Sequence, residues 1–179
     1  MPADFFCFRE NFQDLVLACM MRKEKRFARV IRCMRAKCFT GVQPALVAKC
    51  MLAHFERYKR MPSWESLEQR IDEAIRQLPE TKDSLAIDYV RKLRQMDVGD
   101  CEFVRNHVAA FLVERTLVDA IRRVIDMVQE NTVPFDRIAV VFAETLKDVK
   151  ALKRLGYPAA TRFLPRCLRR IIFPFCPSS

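Results

Sequence analysis

The sequence predicts an all-α protein, in which a helical bundle forms a head and a long antiparallel helical hairpin follows it. Apolar residues recur at spacings of three and four in successive segments, the pattern of helices that bury one face. Only three glycines occur in 179 residues, which disfavours tight β-hairpins and glycine-rich phosphate loops. Residues 101–130 contain neither proline nor glycine and are long enough for a helix of about 45 Å.

The head is predicted to contain five helices, each of which ends at a recognisable break. Pro44 suits the first turn of the third helix, where its missing N–H costs little. Ser63 is a suitable N-cap for the fourth, although Ser66 instead of Glu at the third helical position leaves the capping box incomplete. The predicted helices span residues 10–21, 23–35, 44–58, 63–77 and 84–96.

Two further helices, 101–130 and 134–155, are separated by only a short break, so we expect them to lie antiparallel as a hairpin. The predicted domains are therefore a helical head (1–100), a hairpin (101–155) and a flexible, basic, proline-rich tail (156–179).

The apolar stripe of the hairpin has two interpretations, because a hairpin cannot bury both of its faces against itself. The stripe packs either on its own C-terminal helix or on a second copy of the chain. In the second case its burial offsets the cost of association. The residues predicted to mediate self-association are Val104, Val108, Phe111, Val118, Ile121, Ile125, Val128 and Phe142.

Positive charge is concentrated at the C-terminal end of the chain. Seven of the formal net charges of +10 lie beyond residue 149, where no acidic residue occurs. Such a region suits a nucleic-acid backbone, an acidic protein groove or a membrane surface. The alternative is a disordered or non-native extension. The residues concerned are Lys150, Lys153, Arg154, Arg162, Arg166, Arg169 and Arg170.

The eight cysteines are interpreted mainly as structural thiols, because most of them lie in apolar helical patterns and none forms a C-x-x-C pair. A metal site or a disulfide assembled from distant positions stays open, but no cofactor or metal is predicted. Cys50 and His54 share a helix face at a spacing of four, where a nucleophile pair is far less expected than core packing. Trp64, Tyr58 and Phe55 are interpreted as packing residues, with a base-stacking platform as the alternative.

No catalytic motif is present, so the chain is predicted not to be an enzyme. G-x-x-x-x-G-K-[ST], G-x-S-x-G and H-E-x-x-H are all absent from the sequence. The acidic N-terminal segment is unlike a signal peptide, and no apolar run approaches the ~20 residues of a membrane span. The expected location is a reduced, cytoplasmic compartment.

The order of these elements resembles the N-terminal domain of replicative DNA helicases of the DnaB type. The resemblance is carried by FQDLVLACMM (12–21), by residues 37–71 with their MPSW break, by DYVRKLRQM (88–96), by the long segment 101–130 and by PFDRIAVVFAETLKDV (134–149). It covers about residues 9–150 and consists of a pattern of elements without an invariant catalytic motif.

The resemblance implies a helical head and a hairpin that pairs with the hairpin of a neighbouring subunit. In that family the domains form a collar over a hexameric motor and receive primase or a helicase loader. The motor domain, which carries the P-loop and hydrolyses ATP, has no counterpart in this sequence. The chain departs from the family in its cysteine content, in a longer spacing around Ser84 and in its basic, proline-rich tail, so the resemblance does not extend to a hexamer or a primase contact. A nucleic-acid-binding protein is the alternative function.

Overall fold

A computed structural model describes residues 10–77, 85–129 and 135–154 of the chain. Within these ranges the fold is all-α, as predicted, and contains no β-strand. A single turn of 3-10 helix, Ala36–Cys38, joins the second and third α-helices. The helices are α1 (Glu10–Arg22), α2 (Glu24–Ile31), α3 (Val42–Tyr58), α4 (Trp64–Arg76), α5 (Leu85–Gln95), α6 (Cys101–Gln129) and α7 (Phe135–Lys153).

The chain divides into two compact units, and the division falls between Val108 and Ala109. The predicted boundary between head and hairpin was residue 100, at the start of α6. In the structure the first two turns of α6 belong to the first unit, because Phe103 packs edge-on against Phe12 of α1 with ring centroids 6.3 Å apart. The long helix therefore contributes to both units.

The core of the first unit is built around α1 and α3. α3 contacts both α4 and α5, which also contact each other, and α1 contacts α2, α3 and α5. The sequence pattern assigns α1 one buried face, but Leu17 and Ala18 outside that face are also 0% exposed. A helix surrounded on all sides buries every residue of its middle turns. The fully buried large side chains of this unit include Val16, Leu17, Met20, Phe27, Val30, Val47, Met51, Leu67, Ile71 and Leu93.

Local chemistry sets the ends of the helices of the first unit. Gly41 precedes α3 at φ +97°, a left-handed backbone conformation that favours glycine, and Pro44 lies in the first turn as predicted. Ser63 is the N-cap of α4, where its Oγ accepts the N–H of Ser66 at 3.1 Å. α2 ends at Ile31, four residues before the predicted end. Two 3-10-type hydrogen bonds follow it and bring Met34 into the core.

In the second unit α7 has one buried stripe, whereas α6 buries every residue from Ala109 to Val113 before its burial narrows to Thr116 and Ala120. Buried side chains on α6 include Leu112, Thr116 and Ala120, each four residues from the next. Two threonines lie within these stripes, and each donates its hydroxyl to the carbonyl four residues earlier, Thr116 to Leu112 and Thr145 to Val141, both at 2.7 Å. These bonds satisfy polar groups that would otherwise be costly to bury. The buried stripe of α7 consists of Val141, Thr145, Val149 and Leu152.

Candidate interaction surfaces

Three apolar side chains in the last turns of α6 are about half exposed. Ile121, Ile125 and Val128 are 50%, 49% and 57% exposed, and their spacing of four and three aligns them on one side of the helix. At 3.6 residues per turn this side is opposite the buried Leu112 and Thr116. We call Ile121, Ile125 and Val128 the α6 stripe. It lies on the part of the helix for which self-association was predicted.

Three of the residues predicted to mediate self-association, all in the first half of α6, are buried within the chain. Val104, Val108 and Phe111 are each 0% exposed, and Val118 is half-buried. Residues at heptad spacing drift around a straight α-helix by only about 20° per heptad, so Phe111 and Ile125 lie within about 40° of each other, and the difference in burial comes from what packs on each half of the helix. The surface available to a partner is therefore limited to the later residues.

α7 presents exposed apolar side chains of its own. Phe142, which was predicted to mediate self-association, is 46% exposed. Phe135 is 89% exposed and lies two turns away on the same side, while Val140 is 55% exposed. Sequence reasoning did not single out Phe135 and Val140, because an apolar residue in a helical pattern is assigned to the core by default. Single exposed apolar residues are ordinary, but several in one unit mark a candidate interaction surface.

The basic residues predicted as contacts for nucleic acid or an acidic partner are only partly within the described chain. Lys150 and Arg154 are exposed at the end of α7, and Lys153 is half-buried. Lysines in the last turn also interact favourably with the helix dipole, so this position alone does not imply a ligand. The other predicted residues, Arg162, Arg166, Arg169 and Arg170, and the predicted tail 156–179 lie outside the described residues.

The five cysteines within the described ranges are free thiols. Cys19 and Cys101 come from α1 and the start of α6, and their Sγ atoms lie 2.7 Å apart in the buried core. Burial, and secondarily the hydrogen bond and the charge interaction with Cys101, raises the pKa of Cys19 far above its ordinary value. No metal-ligating cluster of His, Cys, Asp or Glu is found among the described residues.

The environment of Cys50 does not favour a nucleophile pair with His54. Burial raises the pKa of Cys50, whereas a nucleophilic cysteine requires a lowered one. The pKa of His54 is lowered by burial and by the nearby Arg70 and Arg60, so its imidazole is neutral at pH 7. His54 instead packs against Tyr58, with ring centroids 4.6 Å apart.

The aromatic residues around the end of α3 have different environments. Phe55 is buried, as the packing interpretation predicts, and Trp64 is half-buried. Tyr58 is 44% exposed, and two guanidinium groups lie over its ring: Arg57 at 5.3 Å and Arg70 at 5.7 Å from the centroid. The three aromatic residues therefore do not form a common exposed platform. Tyr58 alone offers an exposed ring, with the guanidinium groups of Arg57 and Arg70 close to it.

A polar cluster around one buried carboxylate of the first unit was missed by sequence reasoning. Asp14 of α1 is 4% exposed and accepts hydrogen bonds from the Tyr89 hydroxyl and, at 2.8 Å, from Lys92 Nζ, both on α5. Its partners lie 75 and 78 residues away in the chain, beyond the range of any local pattern. The cluster satisfies a buried carboxylate and joins two core helices.

Among the described residues, no helix is long and apolar enough to cross a bilayer. Comparison of the chain with family models, curated proteins and solved structures finds no match. The helicase resemblance therefore rests on the order of the helices and the residue patterns quoted above.

Proposed function

We propose that this chain is a non-catalytic assembly module of the helicase N-terminal type, which self-associates through the second unit. The observation that carries the proposal is the α6 stripe, together with the exposed Phe135 and Phe142 on α7. In the proposed arrangement α6 and α7 form the predicted hairpin, and two hairpins pair through these side chains. The assembled module then docks a helicase motor, a primase or a helicase loader.

The size of the exposed apolar set supports a reversible association. Complete burial of one large apolar side chain contributes about 1.5–3 kcal/mol, so burying the exposed half of five such residues on each of two copies contributes about 8–15 kcal/mol. Association itself costs about 4–15 kcal/mol in lost translational, rotational and side-chain freedom. The two contributions are similar, which favours an oligomer that depends on protein concentration.

The direct test is the double substitution Ile121→Glu/Ile125→Glu, which places two carboxylates on the α6 stripe. We expect the variant to sediment as a monomer at concentrations where the unmodified chain is a dimer or larger. Both side chains are half exposed, so the helix itself tolerates the change. The matched control is Val42→Glu, an exposed apolar residue (62%) in the first turn of α3 in the other unit.

Circular dichroism and thermal unfolding establish that both variants keep the fold. If the double variant and the Val42→Glu control have the same oligomeric state as the unmodified chain, the α6 stripe is not the interface. If the double variant and the control lose self-association equally, the loss is caused by the added negative charge and not by its position on the α6 stripe.

A second candidate function is nucleic-acid binding through the basic C-terminal region. It is favoured by the exposed Lys150 and Arg154 and by the absence of acidic residues after Asp148. Neutralising phosphates releases counterions, so this binding falls steeply as salt is raised. We expect deletion of residues 151–179 to abolish affinity for a labelled oligonucleotide. Unchanged affinity after deletion contradicts this candidate.

A further inference from the structure

A half-exposed aromatic ring surrounded by cations lies at the junction of α3 and α4, in the first unit. Tyr58 is the last residue of α3 and is 44% exposed. Arg57 lies beside it on the same helix, and Arg70 reaches it from α4, both within 6 Å of the ring centroid. His54, one turn earlier, flanks the ring. We call Arg57, Tyr58 and Arg70 the Tyr58 patch.

The sequence between the two helices explains how α4 returns over the end of α3. Lys59 ends α3 in the left-handed conformation at φ 56° and directs the chain away from the helix axis. Met61 and Pro62 then enter the core, and Ser63 starts α4 through its side-chain cap. α4 packs against α3, which brings Arg70 to the tyrosine that ends the preceding helix.

The positive charge of the Tyr58 patch is not balanced by carboxylates. Arg57, Arg70 and the neighbouring, exposed Arg60 form no ion pair with a carboxylate among the described residues. By contrast Arg76 and Arg91, on α4 and α5, pair with Asp72 and Asp88. Like charges held close together without a counter-ion repel one another, and a bound anion relieves that repulsion.

Stabilisation of the end of α3 accounts for only part of this arrangement. Cations in the last turn of a helix interact favourably with its carbonyl end, which explains Arg57. Arg70 lies in the middle of α4 and gains nothing from that dipole. The ring is also left half exposed beside the cations, although it ends a helix whose previous turn contains the buried Phe55.

We propose that the Tyr58 patch binds single-stranded nucleic acid, with a base stacked on the tyrosine ring and the two guanidinium groups on adjacent phosphates. An aromatic ring among cations is the arrangement with which proteins hold single strands without reading their sequence. In a duplex the faces of each base are covered by the stacked neighbouring bases, so duplex is not the expected ligand. The site is separate from the basic C-terminal region and does not depend on self-association.

The test measures fluorescence anisotropy of a labelled oligothymidylate with the full-length chain across a salt series. We expect Arg57→Gln/Arg70→Gln to weaken binding at least tenfold and to lower the magnitude of the salt slope by about 1.4, since each lost single-strand phosphate contact contributes about 0.7. The control, Arg76→Gln/Arg91→Gln, removes the same charge from ion-paired positions of the same unit. It should change neither the affinity nor the salt slope.

Variants of Tyr58 separate stacking from charge. We expect Tyr58→Leu to weaken oligothymidylate binding about tenfold or more, as for one lost base stack, and Tyr58→Phe to bind like the unmodified chain. An acidic polypeptide such as polyglutamate serves as a second probe, and Tyr58→Leu should leave its binding unchanged. Circular dichroism confirms that each variant is folded.

Three results overturn the proposal. In the first, the arginine variant and its matched control weaken binding equally, so that only net charge matters. In the second, Tyr58→Leu binds oligothymidylate like the unmodified chain, which leaves an electrostatic patch for acidic proteins. In the third, deletion of residues 151–179 abolishes binding while all Tyr58-patch variants retain it, which assigns binding to the C-terminal region.

Discussion

Asp14 is a carboxylate in the interior of the first unit, and its hydrogen bonds decide whether it stabilises or destabilises the fold. A buried charge without partners costs several kcal/mol, whereas a fully bonded one joins the elements that supply the partners. Here Tyr89 and Lys92 of α5 donate to Asp14 of α1, so the cluster fixes the register of two core helices.

We expect Tyr89→Phe to lower the free energy of unfolding by about 1–3 kcal/mol at neutral pH, because the buried carboxylate loses one of its two donors. Urea unfolding at constant pH measures the change. The control is Tyr58→Phe, which removes the same hydroxyl from a half-exposed ring with no hydrogen bond to the described chain and should cost less than about 0.5 kcal/mol. Equal effects of the two substitutions would contradict the role assigned to Asp14.

The raised pKa of Tyr89 leads us to expect a loss of stability at high pH. Burial, the hydrogen bond to Asp14 and the charge of Asp14 together raise the pKa of Tyr89 above its ordinary value. As pH rises, the Tyr89 hydroxyl therefore loses its proton in the unfolded chain before it does so in the folded one. The contribution of Tyr89 to stability is fully present below pH ~10 and decreases as pH rises further. We expect the urea midpoint to fall more steeply above that pH in the unmodified chain than in Tyr89→Phe. If the urea midpoint falls equally with pH in both proteins, a group other than Tyr89 causes the loss of stability.

Cys19 provides a chemical test of burial. Since burial raises its pKa, the thiol stays protonated at neutral pH and is a poor nucleophile. We expect iodoacetamide to modify the half-buried Cys33 in the native protein well before Cys19, and to modify both at similar rates in urea. Mass spectrometry of the alkylated peptides measures both rates. Rapid native modification of Cys19 would mean that the contact between α1 and α6 opens readily.

At the scale of the helix, the start of α4 depends on one side chain. We expect Ser63→Ala to cost about 1 kcal/mol of stability, because Ser63 Oγ is the acceptor for the Ser66 N–H, whereas Ser63→Gly costs only a few tenths. Chemical denaturation of the two variants measures the difference. If alanine and glycine are equally tolerated, the cap contributes nothing to the fold.

The helices themselves were predictable because their signals are local. Pro44, Ser63 and the proline-free segment 101–130 set starts and lengths through residues only a few positions apart. The end of α2 was not predictable in this way. Met34 continues the apolar spacing of that helix, but the chain reaches its buried position through a 3-10-type turn, and side-chain periodicity does not distinguish the two backbones.

At the scale of the whole molecule, the candidate surfaces were only partly predictable. The spacing of apolar residues along α6 is similar from Val104 to Val128. The first half of this pattern is nevertheless buried, whereas the apolar side chains of the last turns are half exposed. Which half is covered depends on packing with residues distant in sequence. The Tyr58 patch has the same origin, since Arg70 reaches Tyr58 only because α4 folds back on α3.

The solution mass of the full chain tests the proposed assembly role most directly. Light scattering over a concentration series should give a mass above that of the 21.0 kDa chain, which rises with concentration towards a dimer or a larger oligomer. This is the behaviour expected when apolar burial only slightly exceeds the cost of association. A constant mass of 21.0 kDa up to the highest concentration would contradict self-association and leave the exposed residues of α6 and α7 without their proposed partner.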